Sequence, residues 1–237
     1  MSQDPEFTHL MRECATLAET FPDGLVFIGG IAIYLHAVNQ AKTQSLAETT
    51  YDADFYLSMS EMVELREEED LVANRRLRKH QMTKKGFAFD IYTERQSGLQ
   101  VPYDEVLAHS RAYDTFKVAS LEHLLVLKLA AYEDRRGSSK GAKDARDILR
   151  LASVAETQRT SLNPALVWPY WQGEELALLE EIQKGPEAAA LAHGNAMEAK
   201  GLRLSMRHML DTLIKAGPGI SGETPSANPP RSHRRVR

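Results

Sequence analysis

Apolar residues recur along the first half of the chain with two different spacings. A helical stripe at Phe7, Leu10, Cys14 and Leu17 comes first, and short apolar runs bounded by turn residues follow it. Ser60 is a candidate cap for one of the later helices. In chain order, the pattern predicts a helix over 5–20, a strand over 25–28, a helix over 31–38, a strand over 54–57, a helix over 58–70 and a hairpin of strands 77–82 and 87–93.

The second half of the chain shows helical spacing only. Ser120 belongs to a residue type that caps helices, and a strongly apolar stretch follows it. We predict helices over 121–134 and 143–153, a loop over 137–141 between them, and two or three more helices over 174–215. The predicted class is α/β (α+β): a small mixed-sheet domain over 1–118, a helical domain over 119–215 and a disordered basic tail over 216–237.

Composition narrows the range of functions. The 237 residues, 43% hydrophobic and 26% charged, are enough to bury an ordinary core. The sequence has neither an apolar run of about 18 residues nor a signal pattern, so we expect no membrane partner. Cys14 is the only cysteine, which excludes a disulfide framework and a Cys-based zinc cluster. A reducing, cytoplasmic location is expected, with Cys14 as a small buried apolar residue.

Charge is distributed unevenly along the chain. The net charge of −4 argues against a contact with nucleic acid over the whole surface. An acidic stretch over 61–70 is followed by a basic stretch over 75–85. Two interpretations stay open: a solvated helix followed by a charged edge strand, or a local surface that attracts phosphates beside a nucleotide or RNA site.

Three aspartates fall on predicted strands with the spacing of a shared site. Alternation along a strand puts Asp52 and Asp54 on one face, and Asp90 lies between Phe89 and Ile91, which should point into the core. Three carboxylates held together repel one another, so at least one should have a raised pKa when no metal is bound. Oxygen ligands in this number suit Mg²⁺ or Mn²⁺.

The glycine pair at the end of the first strand suits the other half of such a site. Without side chains, Gly29 and Gly30 let backbone N–H groups and the N-terminus of the next helix approach phosphate oxygens. Two metal ions beside them can hold the attacking and leaving oxygens of a phosphoryl displacement.

This order of motifs resembles the nucleotidyltransferase superfamily with the DNA polymerase β-like fold. The match lies in FIGG (27–30), TYDADFYL (50–57) and FAFDIY (87–92). The resemblance implies that Asp52 and Asp54 bind metal, and that Asp90 binds metal and activates the acceptor hydroxyl. It also implies a nucleoside triphosphate as substrate, with its phosphates at Gly29 and Gly30, and Thr50 is typical of the group.

The sequence departs from the superfamily pattern in two places. The spacer between Gly30 and Asp52 is longer than usual. The basic residue that many relatives carry just before the Thr-x-Asp is replaced by Glu48 and Thr49, with Lys42 as a candidate substitute.

The first long helix of the second half carries one cation among apolar positions. Lys128 shares a face with Leu124, Leu125 and Tyr132, so its ammonium either reaches solvent along its stem or meets an anion in a cleft. Asp144 and Asp147 follow on the next predicted helix, where they could simply form local ion pairs.

The run from Lys128 to Asp147 is similar to the second half of the AbiEii abortive-infection type of nucleotidyltransferase, a class of bacterial toxin. The resemblance implies that Lys128 contacts nucleotide phosphates and that Asp147, with Asp144 as the alternative, is needed for activity. It further implies an RNA acceptor, commonly the 3′ end of tRNA, and a cognate antitoxin.

Three hypotheses follow for the function. The first is Mg²⁺-dependent transfer of NMP from NTP to an RNA hydroxyl by a toxin. The second keeps the fold and changes the acceptor to a small molecule or a protein side chain. The third is a catalytically silent interaction module.

Overall fold

The computed structural model describes residues 4–95, 97–158 and 162–217. Within them, a seven-stranded mixed sheet has the order β3-β4-β5-β2-β1-β7-β6. The strands are β1 (Val26–Ile28), β2 (Asp52–Leu57), β3 (Val72–Asn74), β4 (Lys79–Lys84), β5 (Phe87–Thr93), β6 (Arg111–Tyr113) and β7 (Phe116–Val118).

Helices cover the rest of the described chain, apart from short 3₁₀ turns and loops. They are α1 (Pro5–Thr20), α2 (Gly29–Val38), α3 (Met59–Glu68), α4 (Tyr103–Ala108), α5 (Leu121–Arg135), α6 (Ser139–Thr157), α7 (Glu175–Lys184), α8 (Glu187–Leu191) and α9 (Ala196–Ala216). In the part of the chain that the structure describes, no strand follows β7, and the α/β class is confirmed.

Side-chain caps set the beginnings of several helices. The predicted cap of α5 is confirmed, because Ser120 Oγ accepts a hydrogen bond from the His123 N–H. The predicted cap Ser60 is wrong: Ser58 Oγ accepts from the Glu61 N–H, so the cap lies two residues earlier and α3 begins at Met59. Ser120 and Ser58 both have extended backbones, as N-cap residues do.

The loop predicted over 137–141 is shorter than expected. Ser138 Oγ accepts from the Gly141 N–H and begins α6 at Ser139. A Cβ at Gly141 would lie 2.5 Å from the Arg135 carbonyl oxygen, so glycine allows the end of α5 and the beginning of α6 to approach closely. The glycine therefore belongs to a helix contact rather than to a loop.

The predicted hairpin is present as β4 and β5, which pair antiparallel, but its first strand ends at Lys84 rather than at Met82, and its turn has two residues rather than four. Lys85 and Gly86 form its two-residue turn, and both have positive φ angles, 50° and 89°, as a tight hairpin requires. The basic stretch does not lie on an edge strand throughout, because β3 pairs with β4 and takes the edge position.

One hydrophobic core joins the sheet to the helices. It runs from Leu10 on α1, through Phe27 and Phe55 in the central strands, to Leu125 on α5 and Ile148 on α6. Cys14 is buried in it, as predicted, and burial raises its pKa to about 12. In the described chain, no helix combines the length and apolar character needed to cross a bilayer.

Most of the disordered basic tail predicted over 216–237 lies outside the described residues. Asp4, the first residue described, accepts from the Glu6 N–H and caps α1.

Candidate functional site

A cavity of about 730 Å³ opens between the sheet and the helices, within the range of about 300–1,000 Å³ that is usual for ligand sites. Its walls combine the glycine pair, the three predicted aspartates and cations from several elements. These are Gly29, Gly30, Asp52, Asp54, Asp90, Arg76, Arg78, Lys79, Lys128, Arg135, Lys140, Lys143 and Asp144. The fold thus brings the carboxylates of the first half and Lys128 of the second half to one cavity.

The register of the central strands brings Asp54 and Asp90 together. Strands β2 and β5 are parallel neighbours, and Asp54 is directly opposite Asp90. Phe55 and Phe89, which alternate with these aspartates, are fully buried in the core. Asp52 lies two residues earlier on β2 and so on the same face as Asp54. The predicted shared face of the carboxylates is therefore present.

Gly29 lies directly against this carboxylate pair. Its φ of +63° belongs to the left-handed region, and a Cβ there would overlap Asp54 Oδ2. Gly30 is also close-packed, since a Cβ on it would lie 3.1 Å from Thr50. The turn at the beginning of α2 needs glycine for its backbone conformation and for its contact with the site.

The pKa of Asp54 reflects its burial and the repulsion within the cluster. Burial raises its pKa to about 6, and the negative charges of Asp52 and Asp90 act in the same direction, against the cations Lys128 and Lys79. The prediction that at least one carboxylate has a raised pKa is confirmed at this residue.

Asp90 is held by two side chains of β4 that the sequence interpretation did not identify. Lys79 forms an ion pair with Asp90 Oδ2, and Gln81 Nε2 donates to Asp90 Oδ1 at 3.0 Å. Gln81 is directly opposite Asp90 in the antiparallel β4–β5 register. The predicted turn over 83–86 would have placed Lys79 opposite Asp90, and the shorter observed turn places Gln81 there instead.

Thr50 connects Asp52 to helix α6. Its buried hydroxyl donates to Asp52 Oδ1 at 2.6 Å, and Lys143 Nζ donates to the hydroxyl oxygen of Thr50 at 3.5 Å. Lys42, the candidate substitute for the missing basic residue, is exposed and does not line the cavity. Lys143 therefore supplies a cation beside Thr50, where the spacing had suggested Lys42.

Lys128 is buried in an ion network and does not reach open solvent. Its side chain is 12% exposed, and Nζ lies 2.7 Å from Asp147 Oδ2 and 3.4 Å from Asp144 Oδ1. Burial alone would lower the pKa of Lys128, but Asp147 and Asp144 raise it above its usual value. The ammonium thus stays charged at the cavity wall and contributes a positive potential at Asp54.

The two aspartates of α6 differ in position. Asp144 lines the cavity and accepts two hydrogen bonds from Arg135, at 2.6 and 2.9 Å. Asp147 lies behind it, where Lys128 and Arg150 outweigh burial and hold its pKa below the usual value. Asp147 is therefore placed to act through Lys128.

Arg150 anchors the long spacer that departs from the superfamily pattern. Its side chain, 3% exposed, donates to Asp147 Oδ1 at 2.7 Å and to the Leu46 carbonyl at 2.7 Å, and it forms an ion pair with Glu48. Glu48, which stands where relatives carry a basic residue, thus fixes the segment before Thr50 to α6. The contact between Arg150 and Glu48 joins residues about a hundred positions apart, so no local sequence pattern predicts it.

The oxygen ligands of the site suit a cation that takes its remaining ligands from water and substrate. Across the described residues, no group of three or more His, Cys, Asp or Glu side chains is arranged to hold a metal ion. Mg²⁺ commonly needs only one or two carboxylates, with water and substrate phosphates as the other ligands. Asp52, Asp54 and Asp90 all line the cavity, so the carboxylates for that smaller requirement are present, with Asp52 accepting from Thr50 and Asp90 paired with Lys79.

Comparisons with known proteins place the fold. Neither models of protein families nor curated protein sequences match this chain. Among solved structures, JHP933 from Helicobacter pylori is similar with a TM-score of 0.51 at 14% identity, over 90% of this chain and 95% of that one. A candidate nucleotidyltransferase from H. pylori is similar with a TM-score of 0.52 at 15% identity, over 92% and 99%. The chain therefore has a nucleotidyltransferase-like fold.

Proposed function

We propose that the protein transfers NMP from a nucleoside triphosphate to a hydroxyl of an RNA acceptor, with Mg²⁺ or Mn²⁺ as cofactor. The observation that carries the proposal is the in-register pair Asp54 and Asp90 against the tight glycine turn at Gly29. Neighbouring carboxylates repel each other unless a cation lies between them. The nucleotidyltransferase-like fold supports the same reaction.

In this proposal, both the glycine turn and the cations of the cavity bind the triphosphate. Backbone N–H groups at Gly29 and Gly30 donate to phosphate oxygens, helped by the N-terminus of α2. Lys128 and Lys143 reach the cavity from α5 and α6 and balance the charge of the phosphates. Asp54 and Asp90 would hold the divalent ion, which would offset the negative charge of the phosphates when bound.

The transfer itself is an in-line displacement. The acceptor oxygen forms a bond to the α-phosphorus, the bond from that phosphorus to the bridging oxygen breaks, and pyrophosphate leaves with the electron pair. The hydroxyl proton passes to a carboxylate, for which Asp90 is the candidate. Because Lys79 pairs with Asp90, the lysine must release this carboxylate before it accepts a proton.

The biological setting that we propose is a toxin with a cognate antitoxin, and tRNA 3′ ends as acceptors. It is supported by the sequence resemblance over the segment from Lys128 to Asp147, both of which belong to one buried ion network. A chain that modifies RNA in its own cell would need such a partner to restrain it.

Incubation with each α-labelled NTP, Mg²⁺ and total RNA or whole lysate tests the proposal. We expect label in small RNA with the wild type and none with Asp54→Asn, which keeps the shape of the side chain and removes its charge. Label in protein or small molecules would replace the RNA acceptor with the second hypothesis. Absence of label with every NTP would leave the interaction module and refute transfer.

A further inference from the structure

The turn between β3 and β4 presents three arginines to solvent at the mouth of the cavity. Arg75, Arg76 and Arg78 are all exposed, and Arg76 and Arg78 line the same cavity as the carboxylates. We propose that this turn, called here the arginine turn (residues 75–78), binds the phosphate backbone of the RNA acceptor and directs its end to Asp90. The inference rests on the proposed function and assigns the acceptor to one side of its site.

The guanidinium groups of the arginine turn differ from others around the cavity in having no acidic partner. Arg135 binds Asp144 and Arg150 binds Asp147, so those charges are already balanced. For the arginine turn, no carboxylate lies within ion-pair distance in the part of the chain that the structure describes. Three unbalanced charges of one sign within four residues attract a polyanion.

The acidic stretch before the turn does not neutralise it. Glu69, which lies just after α3, pairs with Lys84 at 2.5 Å, at the opposite end of β4 from the arginine turn. Lys79, at the beginning of β4, is committed to Asp90. The positive charge of the turn is therefore left for a ligand.

The conformation of the turn is fixed by local contacts. Asn74 Oδ1 accepts from the Leu77 N–H at 3.1 Å, and Arg78 has a φ of +53°, a conformation that side chains other than Gly and Asn rarely adopt. Leu77 is 44% exposed and also lines the cavity, which offers an apolar surface to a sugar or base between the phosphates. A rigid turn of this kind orders a flexible strand at less entropic cost.

The position of the arginine turn relative to the carboxylates indicates which of the two substrates it binds. The glycine turn, Lys128 and Lys143 surround the other part of the cavity, where the triphosphate is proposed to bind. The arginine turn runs directly into Lys79, which contacts Asp90, the candidate acceptor of the hydroxyl proton. A backbone held by Arg78 thus approaches the site from the side of the general base, as an acceptor must.

Fluorescence anisotropy with a labelled hairpin RNA that has a single-stranded 3′ end tests the proposal. The variant is Arg75→Gln/Arg76→Gln/Arg78→Asn in the full chain, with Asn at the position of positive φ because Asn tolerates it. We expect Kd to rise about tenfold or more, and the slope of log K against log salt to fall in magnitude by about two, since each of the three lost phosphate contacts removes about 0.7 on a single strand. The affinity for a fluorescent ATP should change less than about twofold, because the triphosphate contacts are elsewhere.

The matched control removes the same charge from a helix away from the cavity. Lys200→Gln/Arg207→Gln/Lys215→Gln alters three exposed residues of α9 and should leave RNA affinity within about twofold. Circular dichroism of both variants checks that the fold is kept. Equal loss in both variants, or unchanged RNA affinity in the arginine variant, would overturn the proposal. If the wild type binds a partner protein at the turn and no RNA, the surface is an interaction site for that protein and the proposal is wrong.

The readouts separate this inference from the proposed function. If RNA binding depends on the arginine turn and the wild type transfers no label, the proposed function fails and the binding surface stands. If the arginine variant labels RNA as fast as the wild type, the surface fails and the proposed function stands. Asp54→Asn should bind RNA normally while losing transfer.

Discussion

The ammonium of Lys128 gives the sharpest test of the ion network between α5 and α6. Replacement with Met keeps the apolar stem and removes the charge. If the lysine merely reached along its stem to water, the change would be neutral or stabilising. In the structure it binds Asp147 at 2.7 Å and lies 3.4 Å from Asp144, so we expect a loss of stability.

The size of the loss follows from what remains after the substitution. Removing one partner of an isolated buried ion pair costs about 3–5 kcal/mol, because the other charge is left alone. Here Asp147 keeps Arg150 and Asp144 keeps Arg135, so neither carboxylate is abandoned. The cost should therefore be closer to that of losing one charged hydrogen bond, and we expect the free energy of unfolding to fall by about 2 kcal/mol.

Urea unfolding followed by tryptophan fluorescence measures this difference, since Trp168 and Trp171 both lie in the helical part. Lys140→Met is the control, because Lys140 is an exposed lysine of the same cavity and should cost less than about 0.5 kcal/mol. The reasoning is refuted if Lys128→Met costs no more than that control. A double-mutant cycle with Asp147→Asn should give a coupling of about 1 kcal/mol or more. If the ammonium also meets the triphosphate, the same substitution lowers kcat by about 10²-fold.

Further tests concern the glycine turn and the carboxylates. Gly29→Ala should lower the thermal midpoint well below that of Gly86→Ala, since both have positive φ but only the first meets Asp54; equal effects would contradict the close contact. Without metal, Asp54→Asn should be more stable than the wild type above pH 6, because a raised pKa in the folded state means that ionisation opposes folding. This advantage should shrink to nothing as the pH falls from 6 to 4. Chemical unfolding of both proteins across that range measures it, and a difference in unfolding free energy that does not change with pH would contradict the raised pKa of Asp54. Lys79→Met should tighten Mn²⁺ binding in the absence of nucleotide, as read by electron paramagnetic resonance, because the ammonium competes for Asp90; unchanged affinity would mean that the ion does not use this carboxylate.

Local patterns were sufficient for the strands that carry the carboxylates. Alternation of aspartate and apolar residues determines which side of a strand faces the core, so the shared face of Asp52 and Asp54 could be predicted. The presence of the hairpin that carries Asp90 could also be predicted, but its register could not, because the turn has two residues instead of the predicted four. The error at the cap of α3 arose because Ser58 and Ser60 are both suitable cap residues and only the path of the chain selects between them.

The side chains that surround the carboxylates were beyond such patterns. Arg150 contacts Glu48 and the Leu46 carbonyl across about a hundred residues, and Lys143 approaches Thr50 across a similar distance. Charge pairing between segments so far apart depends on how α6 packs against α2, which one sequence does not reveal. The same packing decides the environment of Lys128. The sequence allowed its ammonium either to reach solvent or to meet an anion, and in the structure it pairs with Asp147.

The single core that joins sheet and helices has a consequence for cooperativity. Ile31 on α2 and Ile148 on α6 are both fully buried in that core, and Arg150 ties the same helix to the segment before β2. A break in the helical part therefore removes the support of the carboxylate strands, so we expect one all-or-none unfolding transition for both parts. Under that expectation, a core substitution such as Ile148→Ala, far from any reacting atom, lowers the fraction of molecules with an assembled site and leaves the affinity of each folded molecule unchanged.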